Sequence, residues 1–224
     1  EGSRSQQVMQ LMLDGYKGAV QTDGYKAYEA LEQTRWITLL HCMAHARRKF
    51  ENIKAQYPQD ISVVLKYFAF LYQIEANLKE RHASLEEIQK EREEKSVPIL
   101  NKIEQWLKQK SLETTPKSSL GEAISYTLKR WDKLCAYVTD GMYHIDNNPV
   151  ERSIRPIALG RKNWLFIKND ESGEDLAVIS TLIQTCELLG INPKDWLSKT
   201  FSKIAGQDNY NPETLLPYHY VENK

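Results

Sequence analysis

Residues 36–41 read Trp36-Ile37-Thr38-Leu39-Leu40-His41. The stretch is rich in β-formers and apolar throughout, the pattern of a strand buried on both faces, as parallel strands are. Toward the N-terminus, Ala27–Leu31 reads as the start of a helix. Before it, Gly18–Thr22 is a short extended run that stops at Asp23-Gly24, a turn pair. Ser5–Leu13 sets Val8, Met9, Met12 and Leu13 at helical spacing and closes at Asp14-Gly15. The first 50 residues thus predict helix, strand, helix, strand, which is an α/β order.

Downstream the character changes. Between His45 and Val138 the apolar spacing is helical throughout, punctuated by Pro58, Pro98 and Pro116. Helices are predicted over Asp60–Leu78, over Ser84–Gln109 with an interruption near Pro98, and over Leu120–Val138. After Gly141 come a turn at Asp146–Pro149, a helix from about Pro149, an extended run at Trp164–Ile167, and helices at Leu176–Leu189 and Pro193–Ile204. The expected organisation is an α/β segment at 1–50, a helical insertion at 51–140, a resumed core with C-terminal helices at 141–205, and an irregular tail at 206–224.

With 224 residues and 41% hydrophobic side chains, the chain can bury a core, which excludes wholesale disorder. Three widely spaced cysteines exclude a disulfide scaffold and fit a reducing cytosol. No apolar run reaches the ~18 residues of a membrane span, so a soluble cytoplasmic chain with no membrane partner is expected. The net charge is zero, yet it is unevenly laid out. Residues 151–168 carry five basic groups against one acidic, residues 1–50 seven against five, and residues 169–224 four against nine. The basic excess falls in Arg47–Lys49 and Arg152–Lys168, which excludes a uniformly basic coating protein but leaves local phosphate-binding patches open.

Two carboxylates lie in these basic stretches. Asp23 ends an expected strand, where an open α/β sheet presents its ligands, although Asp-Gly is also an ordinary turn. Glu151 lies in Asp146-Asn147-Asn148-Pro149-Val150-Glu151-Arg152, where Asn148, Pro149 and Glu151 fit a helix capping box. Alternatively it is a second carboxylate facing the edge that presents Asp23. Two such groups with a third can hold paired divalent ions for phosphoryl transfer, and oxygen ligands suit Mg²⁺ or Mn²⁺. His41, Cys42 and His45 invite a zinc reading, but a structural site needs four ligands and no matching pair lies elsewhere. The Arg47, Arg48 and Lys49 run reads either as a solvated helix face or as phosphate contacts, and so do Arg155, Arg161 and Lys162 beside Glu151.

Three stretches together, Gln21–Tyr28 (QTDGYKAY), His41–Phe50 (HCMAHARRKF) and Asn147–Phe166 (NNPVERSIRPIALGRKNWLF), resemble the insertion-sequence-66 transposase family. The likeness continues through Ser172-Gly173-Glu174 to Gly190-Ile191-Asn192-Pro193. It implies a DDE-type enzyme: a mostly helical α/β chain with a partial RNase H-like core and a large all-α insertion, cutting and joining insertion-sequence DNA ends. By position, Asp23 matches the second acidic residue and Glu151 the third. Both would hold metal, two Mg²⁺ or Mn²⁺ ions in the complete enzyme. Arg47, Arg48, Arg152, Arg155, Arg161 and Lys162 would hold DNA phosphates, and the enzyme would act as a homodimer at the nucleoid.

The resemblance also implies a first acidic residue on a strand upstream of Ser5–Leu13, in an Asp-Glu-Thr setting. The chain is expected to begin after it and to be inactive alone. Met43 stands where the family usually has tryptophan. Two other readings remain: a different RNase H-like nuclease or recombinase, and a non-catalytic helical DNA-binding or interaction module in which Asp23 and Glu151 are only turn and cap.

Overall fold

The computed structural model describes residues 6–33, 35–160, 169–206 and 210–220. The expected extended run at Trp164–Ile167 lies outside them. The described residues are mostly helical, with a single two-stranded sheet among them. The chain divides into two units, residues 1–149 and residues 150–224.

The first unit opens with α1 (Gln6–Met12), β1 (Gly18–Thr22), a 3₁₀ turn at Lys26–Gln33 in place of the expected helix start, β2 (Ile37–His41) and α2 (Met43–Glu51). The strands run parallel, with Gly18 opposite Ile37 and Thr22 opposite His41. The two consecutive leucines of β2, a strand whose Thr38 is exposed, have a direct cause. Leu39 points into a small cluster with Met9 and Leu31, while Leu40 points into the main core on the opposite face. A strand covered on both sides has no use for alternation.

The main core is built by the helices that follow. The helix α3 (Pro58–Glu80) starts with Pro58 in its first turn, where a missing N–H costs nothing, and buries Ile61, Val64, Phe68, Leu71 and Leu78 along one stripe. Against that stripe pack Met43, Ala46 and Phe50 of α2, with Leu100, Ile103 and Leu107 of α5 (Val97–Glu113). Between α3 and α5 lies the short α4 (Leu85–Glu91), opened by a Ser84–Glu87 capping box. The interruption expected near Pro98 takes the form of a π-helical turn over Arg92–Ser96. Proline at 98 cannot donate to the carbonyl four residues back, so the hydrogen-bond ladder shifts just ahead of it.

That turn also buries Arg92, only 3% exposed. Its guanidinium grips both oxygens of Glu75 at 2.9 and 2.7 Å and donates to the carbonyls of Tyr137 and Asp140, each at 3.0 Å. The continuous helix expected at Leu120–Val138 is broken. It forms α6 (Ser119–Leu128), α7 (Trp131–Cys135) and a 3₁₀ turn at Ala136–Thr139. The break falls at Arg130 (φ −114°, ψ 7°), whose side chain is drawn to the carbonyl of Gly24, 106 residues away in sequence. A tertiary contact overrides helical periodicity here.

The helix α8 (Asn148–Gly160) begins at the end of the first unit and continues into the second. In the second unit, α9 (Asp170–Leu188) is capped by Asn169 and followed by Gly190 at φ +70°, and α10 (Pro193–Ala205) is capped by Asn192. The tail expected to be irregular contains two 3₁₀ turns, Pro212–Leu215 and Pro217–His219. It is tied to α10, because buried Trp196 donates its indole N–H to the Leu215 carbonyl at 2.9 Å. No helix among the described residues is long and apolar enough to cross a membrane.

Candidate active site

The site begins where β1 ends. Asp23 follows Thr22 directly and its carboxylate is exposed. Oδ1 accepts the Tyr25 amide at 2.9 Å, and Oγ1 of Thr22 accepts the Gly24 amide at 3.3 Å. These are the side-chain-to-backbone bonds of a tight turn. Gly24 sits at φ +80°, and a Cβ there would lie 2.6 Å from Nε of Arg130 and 3.2 Å from the Tyr126 hydroxyl. Glycine is required both by the backbone and by what rests on it. Tyr126 donates its hydroxyl to the Asp23 carbonyl at 2.9 Å, and Arg130 donates Nη2 to the Gly24 carbonyl at 3.0 Å.

Next along the edge is the end of β2. The Cys42 amide donates to the Thr22 carbonyl at 2.9 Å, which carries the strand pairing one residue further. Cys42 itself is buried, and burial pushes its thiol up from the ordinary range. The helix that follows brings the first basic stretch. Arg47 pairs with Glu51 at 2.9 Å and lies 5.5 Å from the centre of the Tyr72 ring, so it is held within the protein. Arg48 and Lys49 are exposed, and Lys49 sits 4.8 Å above the Tyr126 ring. Met43, where the resemblance has tryptophan, is fully buried in the core. This position packs the fold and does not face a ligand.

The third component is the segment leading to α8. Gln21 of β1 donates Nε2 to the His144 carbonyl at 2.7 Å, and the Met43 amide donates to the Ile145 carbonyl at 3.0 Å. Residues 144 and 145 are therefore pinned to β1 near its end and to the first residue of α2, just past β2. Asp146 follows, buried, with both oxygens engaged. Oδ1 takes the Asn148 amide at 3.1 Å, and Oδ2 takes the Asn148 side-chain amide at 2.7 Å and the Tyr72 hydroxyl at 2.9 Å. Burial, followed by the nearby Asp146 carboxylate, raises the pKa of Tyr72, so its phenol remains a donor. Glu151 lies in the first turn of α8, and Arg152 and Arg155 are exposed on the same helix.

Asp23, Arg47 and Arg48 thus belong to the first unit, and Glu151, Arg152 and Arg155 to the second. Arg161 and Lys162 lie outside the described residues. No group of three or more His, Cys, Asp or Glu side chains suited to a metal forms among the described residues. The donors proposed from sequence are carboxylate oxygens, whose chemistry fits Mg²⁺ or Mn²⁺. The sequence motifs give no site role to Tyr72, Tyr126 or Arg130, and they include Asp146 only as the first residue of the stretch that carries Glu151. Asp146 carried a signal, an acid two residues before a helix start. Tyr126 and Arg130 share one helix face at i, i+4, but that spacing does not say what the face meets.

Residues 1–175 match the family described as Transposase IS66 family, and residues 181–218 match the IS66 C-terminal element. The chain belongs to the IS66 transposase family. It is 35% identical over 227 residues to the uncharacterized protein y4jD of Sinorhizobium fredii, covering 97% of this chain and 44% of that protein. It is 34% identical to the uncharacterized protein y4qI of the same organism, covering 93% of this chain and 40% of that one. The chain spans less than half the length of these relatives. No solved structure matches it.

Proposed function

We propose that this chain carries part of the catalytic centre of a DDE transposase with an RNase H-like core, acting on the DNA ends of an insertion sequence. Asp23 and Glu151 are two of its metal-holding carboxylates, and the basic residues of α2 and α8 are its phosphate contacts. The observation that supports this best is the pinning of residues 144 and 145 to Gln21 of β1 and to Met43, the first residue of α2 just past β2. The chain that leads into the helix of Glu151 is thereby anchored on the sheet edge that presents Asp23, although 120 residues of sequence intervene. Open α/β sheets bind ligands at that edge.

Bound divalent ions would supply Lewis-acid activation of an attacking hydroxyl and stabilisation of the leaving oxygen. The chain's own contribution is positional. Asp23 presents a carboxylate from a turn held by backbone and side-chain bonds, Glu151 presents one from a helical first turn, and Arg48, Arg152 and Arg155 offer exposed cations for phosphate oxygens. A complete site needs one further acid, which the family reading places upstream of α1.

The bond from Tyr25 to Asp23 Oδ1 favours a second reading, in which Asp23 is a turn residue of a non-catalytic DNA-binding or interaction module. Mn²⁺ titration of the chain decides between them. Joint binding predicts that Asp23→Asn and Glu151→Gln each weaken Mn²⁺ at least tenfold without loss of folding. Unchanged Mn²⁺ affinity in both variants would sink the catalytic reading.

A further inference from the structure

The turn that presents Asp23 is held from outside the sheet. Its two successive carbonyls, those of Asp23 and Gly24, are both taken by one helix end: the first by the Tyr126 hydroxyl at 2.9 Å, the second by Arg130 Nη2 at 3.0 Å. These residues lie more than 100 positions along the chain, in the helical region, and they are locked to each other. The Arg130 guanidinium stacks 4.2 Å from the centre of the Tyr126 ring, and its Nη1 donates to the Tyr126 carbonyl at 3.3 Å. Lys49 lies over the same ring at 4.8 Å, so the clamp also touches the basic helix α2.

The fit is close enough to dictate sequence, since any side chain at position 24 would strike Nε of Arg130. The clamp also lies at the break between α6 and α7, where Arg130 is the residue that precedes α7. The clamp grips main-chain oxygens and takes neither oxygen of the Asp23 carboxylate. The carboxylate itself is exposed, with Oδ1 taking the Tyr25 amide.

We infer that Tyr126 and Arg130 are positioning residues of the Asp23 carboxylate, so that the helical insertion is a working part of the metal site. This rests on the metal-holding role proposed for Asp23. A carboxylate on an unclamped turn must be ordered each time a metal binds, and that entropic cost lowers affinity.

The test is Mn²⁺ binding by the 224-residue chain, read beside thermal unfolding and amide hydrogen exchange. Tyr126→Phe keeps the ring under Arg130 and Lys49 and removes only the hydroxyl. It should weaken Mn²⁺ about fivefold, the weight of one ordinary hydrogen bond. Exchange at residues 24–28 should quicken, while the amides of α3 and α5 and the unfolding temperature hold. Arg130→Gln should weaken Mn²⁺ further, and Arg130→Lys should fail to rescue it, because an ammonium cannot reach two carbonyls while stacking on a ring. Should Arg130→Gln fail to fold, Tyr126→Phe still decides. Wild-type Mn²⁺ affinity in Tyr126→Phe, with Asp23→Asn impaired, would overturn this inference alone. An unaltered chain that binds no Mn²⁺, or an Asp23→Asn variant that binds normally, would overturn it together with the proposed function.

Discussion

The hydroxyl of Tyr72 on α3 donates to Oδ2 of Asp146 at 2.9 Å, across 74 residues of sequence. Asp146 in turn holds the backbone and side-chain amides of Asn148, the first residue of α8. A single buried carboxylate thus joins the longest helix of the core to the start of the helix that carries Glu151.

Removing that carboxylate leaves half-buried donors without acceptors. Asp146→Ala is expected to destabilise the chain by about 2–3 kcal/mol and Tyr72→Phe by about 1 kcal/mol. In a double-mutant cycle read by urea unfolding, the two should couple by about 1 kcal/mol. Strict additivity would show that the bond adds nothing to stability.

The Arg92–Glu75 pair is a second buried junction, between the π-helical turn and α3. Arg92→Ala strands Glu75 and frees two carbonyls, so a loss of about 3–5 kcal/mol is expected. The paired replacement Arg92→Met with Glu75→Leu should cost less than the single change, because no charge is left buried alone. Denaturant midpoints of the three proteins give the comparison.

Alkaline pH should weaken the fold. Burial pushes the Cys135 thiol up to about 12, and burial also raises Cys42, Tyr72 and Tyr137. The unfolded chain releases these protons at ordinary thiol and phenol pKa values, so between those and the raised values it binds fewer protons than the folded state. Stability therefore falls as pH rises from about 9 toward 12. Thermal unfolding across pH 8–11 measures this, and a flat profile would contradict it. Alkylation of Cys135 at pH 8.5 should be far slower in the native chain than in urea.

On the proposed function, the basic residues should separate by their surroundings. Arg48 and Arg152 are exposed, so alanine at either is expected to reduce the salt dependence of duplex DNA binding by about one unit of log–log slope. Arg47 is tied to Glu51 and Tyr72, so Arg47→Ala should lower stability more than it changes that slope. Fluorescence anisotropy over a salt series distinguishes the two, and equal slopes for all variants would remove these residues as phosphate contacts.

Much of this protein is local and was legible as such. The apolar run at Ile37–His41 and the turn pair Asp23-Gly24 placed two parallel strands and the carboxylate at their end, because strand burial and turn chemistry act over a few residues. The stripe of α3 followed from periodicity in the same way. Local chemistry therefore accounts for most of the elements, their order, and the motifs that place the chain in its family. Long-range packing, by contrast, set Arg130 against Gly24 at a helix break, Tyr126 on the Asp23 carbonyl, Met43 in the core, and Asp146 as the buried carboxylate at the start of α8. Each of these is a hydrogen bond or packing contact between residues far apart in the chain. Its free energy exists only once the fold has brought the partners together, so no spacing within a local window records it.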